Sequence, residues 1–178
     1  MRVSKELKLA LVTGLIGLAL IPIGLTAFVQ SGIYDVAASK RHTKFTEWIT
    51  HDTMLHSVRK QARGILPPAR TSAGQWKAGF CSYETHCVAC HGAAAVPRQT
   101  WVSGLEPQPP YLLDITQRFT PPQLFWIVRN GIKMTAMPAW QDTMSERETW
   151  DVVAFLETMP KMNSTDYLRL RARAHCGG

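Results

Sequence analysis

The sequence lacks the alternation of apolar and polar residues that marks half-buried β-strands, and it has no internal repeat. It also has no Ser/His/Asp set, no catalytic pair of carboxylates and no glycine-rich phosphate loop. These absences predict an all-α protein. They also give no sign of an enzyme that makes or breaks bonds in a small-molecule substrate.

A concentrated basic domain is missing too, although the formal net charge is +7. Residues 1–73 carry a net +6, residues 74–160 a net −2 and residues 161–178 a net +3. Nucleic-acid binding needs basic residues patterned on the binding domain, whereas these lie on its flanks. Anionic lipid or acidic partner surfaces explain them better, so we expect no nucleic-acid partner.

Charge is absent from one long stretch. Leu9–Val29 is an uncharged, largely apolar run of 21 residues, which as a helix spans about 30 Å, the thickness of a bilayer core. A cleaved secretory signal is the alternative, but the only small-x-small site, Val36–Ala38, lies well past the run. We expect residues 1–30 to be a retained transmembrane anchor.

The charges beside this run give an orientation. Arg2, Lys5 and Lys8 precede it, so the positive-inside rule keeps the N-terminus in the cytoplasm and sends the rest of the chain outside. Lys40 and Arg41 on the other flank weaken this prediction without reversing it. The expected location is a bacterial inner membrane, crossed once, with the main domain on the periplasmic side.

Residues 31–73 are predicted to be a periplasmic linker that contains an amphipathic helix. The helix should cover Lys44–Ala62, and its apolar residues are Phe45, Trp48, Ile49, Leu55 and Val58. A lone helix of this length is marginal in water, so we expect it to lie on the membrane surface or against a partner subunit.

Residues 74–160 should form the main domain, followed by a basic C-terminal tail at 161–178. A first helix is expected at about Ala73–Thr85. The capping sequences Thr120–Gln123 and Ser145–Glu148 each begin a further helix. The segment from Gly92 to Phe119 is predicted to be a long loop, and a loop of that length indicates a large bound cofactor.

The sequence Cys87-Val88-Ala89-Cys90-His91 indicates what that cofactor is. Two cysteines two residues apart and followed at once by histidine are the mark of covalent c-type haem attachment. A zinc site would need a second short-spaced ligand pair, and a redox dithiol would need a βαβ setting. Neither is present, so we expect one covalent haem c with His91 as an axial ligand.

The second axial ligand is sought in the segment Met134–Trp140, where a thioether would be neutral and soft. Trp140, Trp101 and Trp126 are candidates to reach haem propionates through their indole N–H, with hydrophobic packing as the alternative.

At this point residues 74–160 resemble the class I c-type cytochromes, in particular bacterial single-haem domains carried on a membrane anchor. The resemblance depends on the Gly79-Phe80 pair, the Cys87–His91 motif, the loop Asn130–Trp140 and a last helix with Trp150 and Phe155.

The resemblance implies that the methionine just before proline, Met137, is the distal iron ligand and that Met134 is a packing residue. It implies that the first and last helices cross, with Gly79 and Phe80 against the last helix. It also implies that a proline carbonyl orients His91 through Nδ1. Pro110 or Pro109 would fill this role, and Pro97 is a further candidate.

Other histidines and cysteines leave alternatives open. His42, His51, His56, His86 and His175 are rival iron ligands, although His86 adjoins Cys87 and cannot easily reach the opposite haem face. Cys81 and Cys176 remain after the haem pair is assigned. In an oxidising compartment they either form a disulfide or stay free.

A haem closed on both sides leaves no place for substrate, so we predict a one-electron carrier and not an enzyme. Its expected partners are redox proteins: a quinol-oxidising complex, a dehydrogenase, an oxidase or a photosynthetic centre. We favour a fixed subunit of such a respiratory or photosynthetic membrane complex. The alternatives are a mobile tethered shuttle, a gas-binding or catalytic haem protein, and a scaffold with a structural haem.

Overall fold

The computed structural model describes residues 4–69, 73–174 and 176. These residues form helices joined by loops, and no strand occurs among them beyond an isolated bridge between Ala93 and Val96. The all-α prediction is therefore confirmed. The chain divides into two compact units, Met1–Lys40 and Arg41–Gly178.

The first unit contains helix α1, Lys5–Gln30, which begins where the Leu7 N–H donates to Ser4 Oγ at 3.3 Å. None of its residues is buried within the structure, although it is apolar and long enough to cross a membrane. Pro22 lies inside it, which is tolerated in spanning helices. A helix that is apolar on all sides and has no buried residue could lie in a bilayer.

The second unit begins with helix α2, Lys44–Gln61, close to the predicted bounds. The single apolar face expected from the sequence divides in two. Val58 and Ala62 are buried, and α2 contacts the helix Pro121–Asn130. Phe45, in contrast, is 67% exposed. The physical reason is the helical geometry. Phe45 and Val58 are thirteen positions apart, so their side chains point in directions that differ by about 220° around the helix axis.

This packing joins part of the predicted linker to the main domain. Residues 41–69 belong to the same compact unit as the residues of the main domain. Only the segment between Gln30 and Lys44 connects α1 to α2.

Six further helices complete the second unit. They are α3 (Ala73–His86), α4 (Val88–His91), α5 (Leu112–Ile115), α6 (Pro121–Asn130), α7 (Glu146–Thr158) and α8 (Ser164–Arg173). Short 3-10 helices lie at Thr100–Gly104, Thr116–Arg118 and Met159–Lys161. The predicted long loop therefore contains several single turns of helix.

The crossing of α3 and α7 forms the centre of the core. Phe80, Tyr83 and Phe155 are fully buried, and the rings of Phe80 and Phe155 meet edge to face with centroids 5.5 Å apart. Gly79 allows the approach, because a Cβ there would overlap the backbone carbonyl of Asp151. The packing that the resemblance implied for the first and last helices is present.

The segment predicted as a basic C-terminal tail packs against the main domain. It contains α8, and Tyr167 in that helix is fully buried against Phe80 and Phe155. The Tyr167 hydroxyl donates to Glu84 on α3, and Arg171 Nε lies 2.8 Å from the same carboxylate. The basic residues of α8 thus face solvent while one aromatic residue fixes the helix to the core.

A disulfide joins Cys81 on α3 to Cys176 beyond α8, with the two Cα atoms 5.2 Å apart. Of the two alternatives left open by the sequence, the structure has the paired one. The bond closes a segment whose ends are 95 positions apart.

Candidate haem-binding site

The motif residues lie on a single helical turn. Cys87 is the N-cap of α4, and its carbonyl accepts from the N–H groups of Cys90 at 3.1 Å and His91 at 2.9 Å. Residues three and four apart on a helix share one side. The two sulfurs and the imidazole therefore belong to one face of this turn, and Gly92 ends it with a φ of 64°.

Both motif cysteines are free thiols in the structure. Cys87 is buried, and burial, with a smaller contribution from Cys90, raises its pKa to about 12. Among the described residues no cluster of three or more His, Cys, Asp or Glu side chains could hold a metal ion.

His91 is buried and held by Pro110. Its Nδ1 lies 2.9 Å from the Pro110 carbonyl oxygen, which can only accept, so Nδ1 carries the proton. Burial lowers the pKa of His91, partly offset by this hydrogen bond, and the imidazole is therefore neutral. Nε2 keeps a lone pair for a metal. Of the three prolines considered from the sequence, Pro110 is the one whose carbonyl meets His91.

Three side chains that the sequence did not single out support the turn after His91. The Tyr83 hydroxyl donates to the Gly92 carbonyl. A Cβ on Gly92 would lie 3.0 Å from the Tyr111 ring and 3.4 Å from Arg98 Cγ, and the Arg98 guanidinium stacks 3.5 Å above the Tyr111 ring. No spacing rule connects these residues to the motif, so their role could not be predicted from the sequence.

Backbone contacts close the base of the methionine loop, Asn130–Trp140. Gly131, with a φ of 65°, lies against the Pro138 backbone so closely that a Cβ would clash. The Ile132 N–H donates to the Met137 carbonyl at 3.2 Å. The Met137 N–H in turn donates to Thr135 Oγ1 at 3.1 Å. These contacts fix the backbone on both sides of Met137.

The two methionines of this loop lie in different surroundings. Met134 is 92% exposed at the tip, with a φ of 59°, whereas Met137 is half-buried at the base. An axial ligand must be held in place and shielded from water. The loop geometry therefore suits Met137 better than Met134.

Several buried donors in this part of the protein have no acceptor. They include Arg98 Nε, Arg129 Nη1 and Trp140 Nε1. Buried polar groups in native proteins are nearly always paired, and two of these three belong to cations. A bound group with carboxylates would supply acceptors for these donors.

These donors lie beside the two parts of the candidate site. Arg98 contacts the turn after His91. Trp140 follows the methionine loop, and its ring lies 4.9 Å from that of His86, next to Cys87. Haem supplies two propionates, so the residues present fit this cofactor. Trp140 is one of the three tryptophans considered for this role, with hydrophobic packing as the alternative. Trp101 is 57% exposed, and Trp126, like Trp140, is half-buried.

The rival histidines are poorly placed for iron. His51, His56 and His86 are exposed, and His86 packs on Trp140. His42 is half-buried near the start of the second unit, and His175 lies outside the described residues.

Comparison with known families gives one match. Residues 74–156 match the family model described as cytochrome c oxidase, cbb3-type, subunit III. The match starts in α3 and ends in α7, so it contains the motif turn, the Pro110 contact and the methionine loop. No curated protein matches the chain.

Proposed function

We propose that this protein, whose residues 74–156 are a class I c-type cytochrome domain, carries single electrons through one haem c. In this proposal Cys87 and Cys90 hold the haem by thioether bonds, and His91 and Met137 are the axial ligands. The haem supplies a one-electron iron couple when it is bound.

The hydrogen bond between His91 and Pro110 is the observation that carries the proposal. It places the proton on Nδ1 at 2.9 Å from the carbonyl and leaves Nε2 free in a buried imidazole. Metal-bound histidines typically have their second nitrogen fixed in this way, and the Cys87, Cys90 and His91 spacing identifies haem as the group that holds the metal. Arg98 and Trp140 supply donors for the propionates.

The distal ligand follows from the methionine loop. Contacts of Gly131 with Pro138 and of Ile132 with Met137 hold the loop closed around the half-buried thioether. A neutral sulfur ligand stabilises ferrous haem and gives a higher potential than a second imidazole would. Closure of both axial sites leaves no place for substrate, which supports a carrier over an enzyme.

We further propose that α1 anchors the protein in a bacterial inner membrane with the haem domain on the periplasmic side. Support comes from the apolar length of α1 and from Lys5 and Lys8, which lie on its N-terminal side.

A fixed subunit of a respiratory or photosynthetic complex is favoured over a mobile shuttle. Since α2 packs on α6, only the 13 residues between α1 and α2 are left to act as a tether. Even as flexible coil these would give a root-mean-square reach of about 20 Å. That is short for movement between separate complexes.

Mass analysis of the purified chain tests the haem attachment. We expect one haem on the wild-type polypeptide and none on the Cys87→Ser/Cys90→Ser variant. An unmodified wild-type chain expressed with a working haem-attachment system would refute the proposal.

Optical spectra test the distal ligand with a matched pair of variants. Met137→Ala should abolish the weak red band that arises from methionine-to-iron charge transfer, while Met134→Ala, three residues away in the same loop, should keep it. Loss of the band in Met134→Ala alone would reverse the assignment. Rapid binding of carbon monoxide by the unaltered ferrous protein would favour a gas-binding haem instead.

A further inference from the structure

The first turns of α2 present an unusual surface. Phe45 is 67% exposed, Trp48 57% and Ile49 45%, and the two aromatic rings lie 5.9 Å apart. We call these three residues the α2 apolar end. Large apolar side chains grouped in this way mark a contact surface.

The opposite end of the same helix is fixed to the haem domain. Val58 is 1% exposed, Ala62 is 7% exposed, and α2 contacts α6, which leads directly into the methionine loop. Val58 lies about 140° around the helix from Phe45 and about 180° from Ile49. Because α2 also packs on α6, whatever the apolar end contacts is connected to the haem domain through this one helix.

The apolar exposure is limited to the end of α2 that follows the anchor in the chain. Farther along the same side, His56 and Lys60 are exposed polar residues. A helix lying flat on a surface would continue its apolar face over its whole length. This distribution instead fits a helix of which only the first turns enter an apolar layer.

The size and charge of the surface favour lipid over a partner protein. A stable protein interface takes about 20 to 30 residues from each side, whereas the α2 apolar end has three. Exposed Arg41 and Lys44 stand next to it, and Trp and basic residues are typical of the lipid headgroup zone. Only 13 residues separate α2 from the end of α1.

We propose that the α2 apolar end inserts into the headgroup zone of the membrane that α1 spans, with Arg41 and Lys44 on anionic headgroups. Helix α2 then holds the haem domain at a fixed height and orientation above the bilayer. This inference rests on the proposed membrane anchorage.

Photocrosslinking of the full chain in its native membrane tests the proposal. The photoreactive residue p-benzoylphenylalanine would replace Trp48 in one variant and Trp101 in a control. Trp101 has the same 57% exposure but lies on the 3-10 helix Thr100–Gly104, away from α2 in sequence. We expect lipid adducts at position 48 at a yield several times that at position 101. Phe45→Asp added to the position-48 variant should lower that yield several-fold.

Two results would overturn the proposal. Adducts at position 48 mainly with another polypeptide would assign the α2 apolar end to a protein partner. Equal lipid yields at the two positions would show that the surface faces water. An alkaline carbonate wash of the same membranes reports separately on α1: release of the chain would mean that the anchorage itself, and not only the docking, is wrong.

Discussion

Removal of the disulfide between Cys81 and Cys176 should destabilise the second unit mainly through its unfolded state. The two cysteines are 95 positions apart, and a cross-link that closes a loop of about 100 residues lowers the entropy of the unfolded chain by an amount worth about 4.7 kcal/mol. Native disulfides typically deliver less than this value. For Cys81→Ala/Cys176→Ala we expect a loss of about 3 to 4 kcal/mol in the free energy of unfolding.

The folded state should survive this change. Tyr167 stays buried between Phe80 and Phe155, and its hydroxyl still donates to Glu84, which also pairs with Arg171. The helix α8 is therefore held on α3 without the bond. Absorption and circular dichroism spectra of the double variant should match those of the wild type under native conditions.

Guanidinium titration of the full chain in detergent, followed by far-ultraviolet circular dichroism and by haem absorption, measures the loss. The double variant should unfold at lower denaturant concentration and with a steeper slope, because its unfolded chain is less compact. Wild type under reducing conditions should behave like the variant, and Tyr167→Phe is a control that weakens α8 docking with the bond intact. A loss below about 1 kcal/mol would refute the argument from loop closure.

Two further changes in the core have defined outcomes. Gly79→Ala places a Cβ onto the Asp151 backbone and should lower the free energy of unfolding by about 1–3 kcal/mol or more. Gly104→Ala, with no atom within 4 Å, should stay within about 0.5 kcal/mol in the same thermal melts. Burial raises the pKa of Asp151 above 3.8, and its Oδ1 has no partner. The folded state thus binds this proton more tightly than the unfolded state, and stability falls as pH rises through the raised pKa. Asp151→Asn should remove that fall; an unchanged pH slope in unfolding titrations would contradict this.

The starts of two helices were predicted correctly from sequence patterns only a few residues long. The Thr120 N–H donates to Gln123 Oε1 at 3.0 Å at the start of α6. At the start of α7, Ser145 and Glu148 exchange hydrogen bonds in both directions. Both ends could be predicted because a capping box is formed by residues only three positions apart.

The helix near the C-terminus was not predicted, because it packs on residues that lie far away in the sequence. The tail segment has a capping residue, Asn163, whose side chain accepts from the Asp166 N–H. Its helix has a single buried residue, Tyr167, and its partners Phe80 and Glu84 lie more than 80 positions earlier. The packing of this helix on the core therefore could not be predicted from local sequence.

The residues of the candidate site also differ in whether a local sequence pattern identifies them. Cys87, Cys90 and His91 follow from a five-residue motif, and Pro110 and Met137 came from the resemblance. Arg98 and Tyr83 were missed because their roles depend on how the chain folds back on Gly92, which no local pattern records.

Every residue proposed to bind haem lies inside the covalent ring that the Cys81–Cys176 bond closes. A protease that cuts once in an exposed part of this ring, such as near Trp101, leaves two pieces still joined through sulfur. The nicked protein would keep His91 and Met137 in one covalent assembly and run as a single species on a gel without reductant. The retention of both haem ligands after a single cut is thus a property of the chain's connectivity.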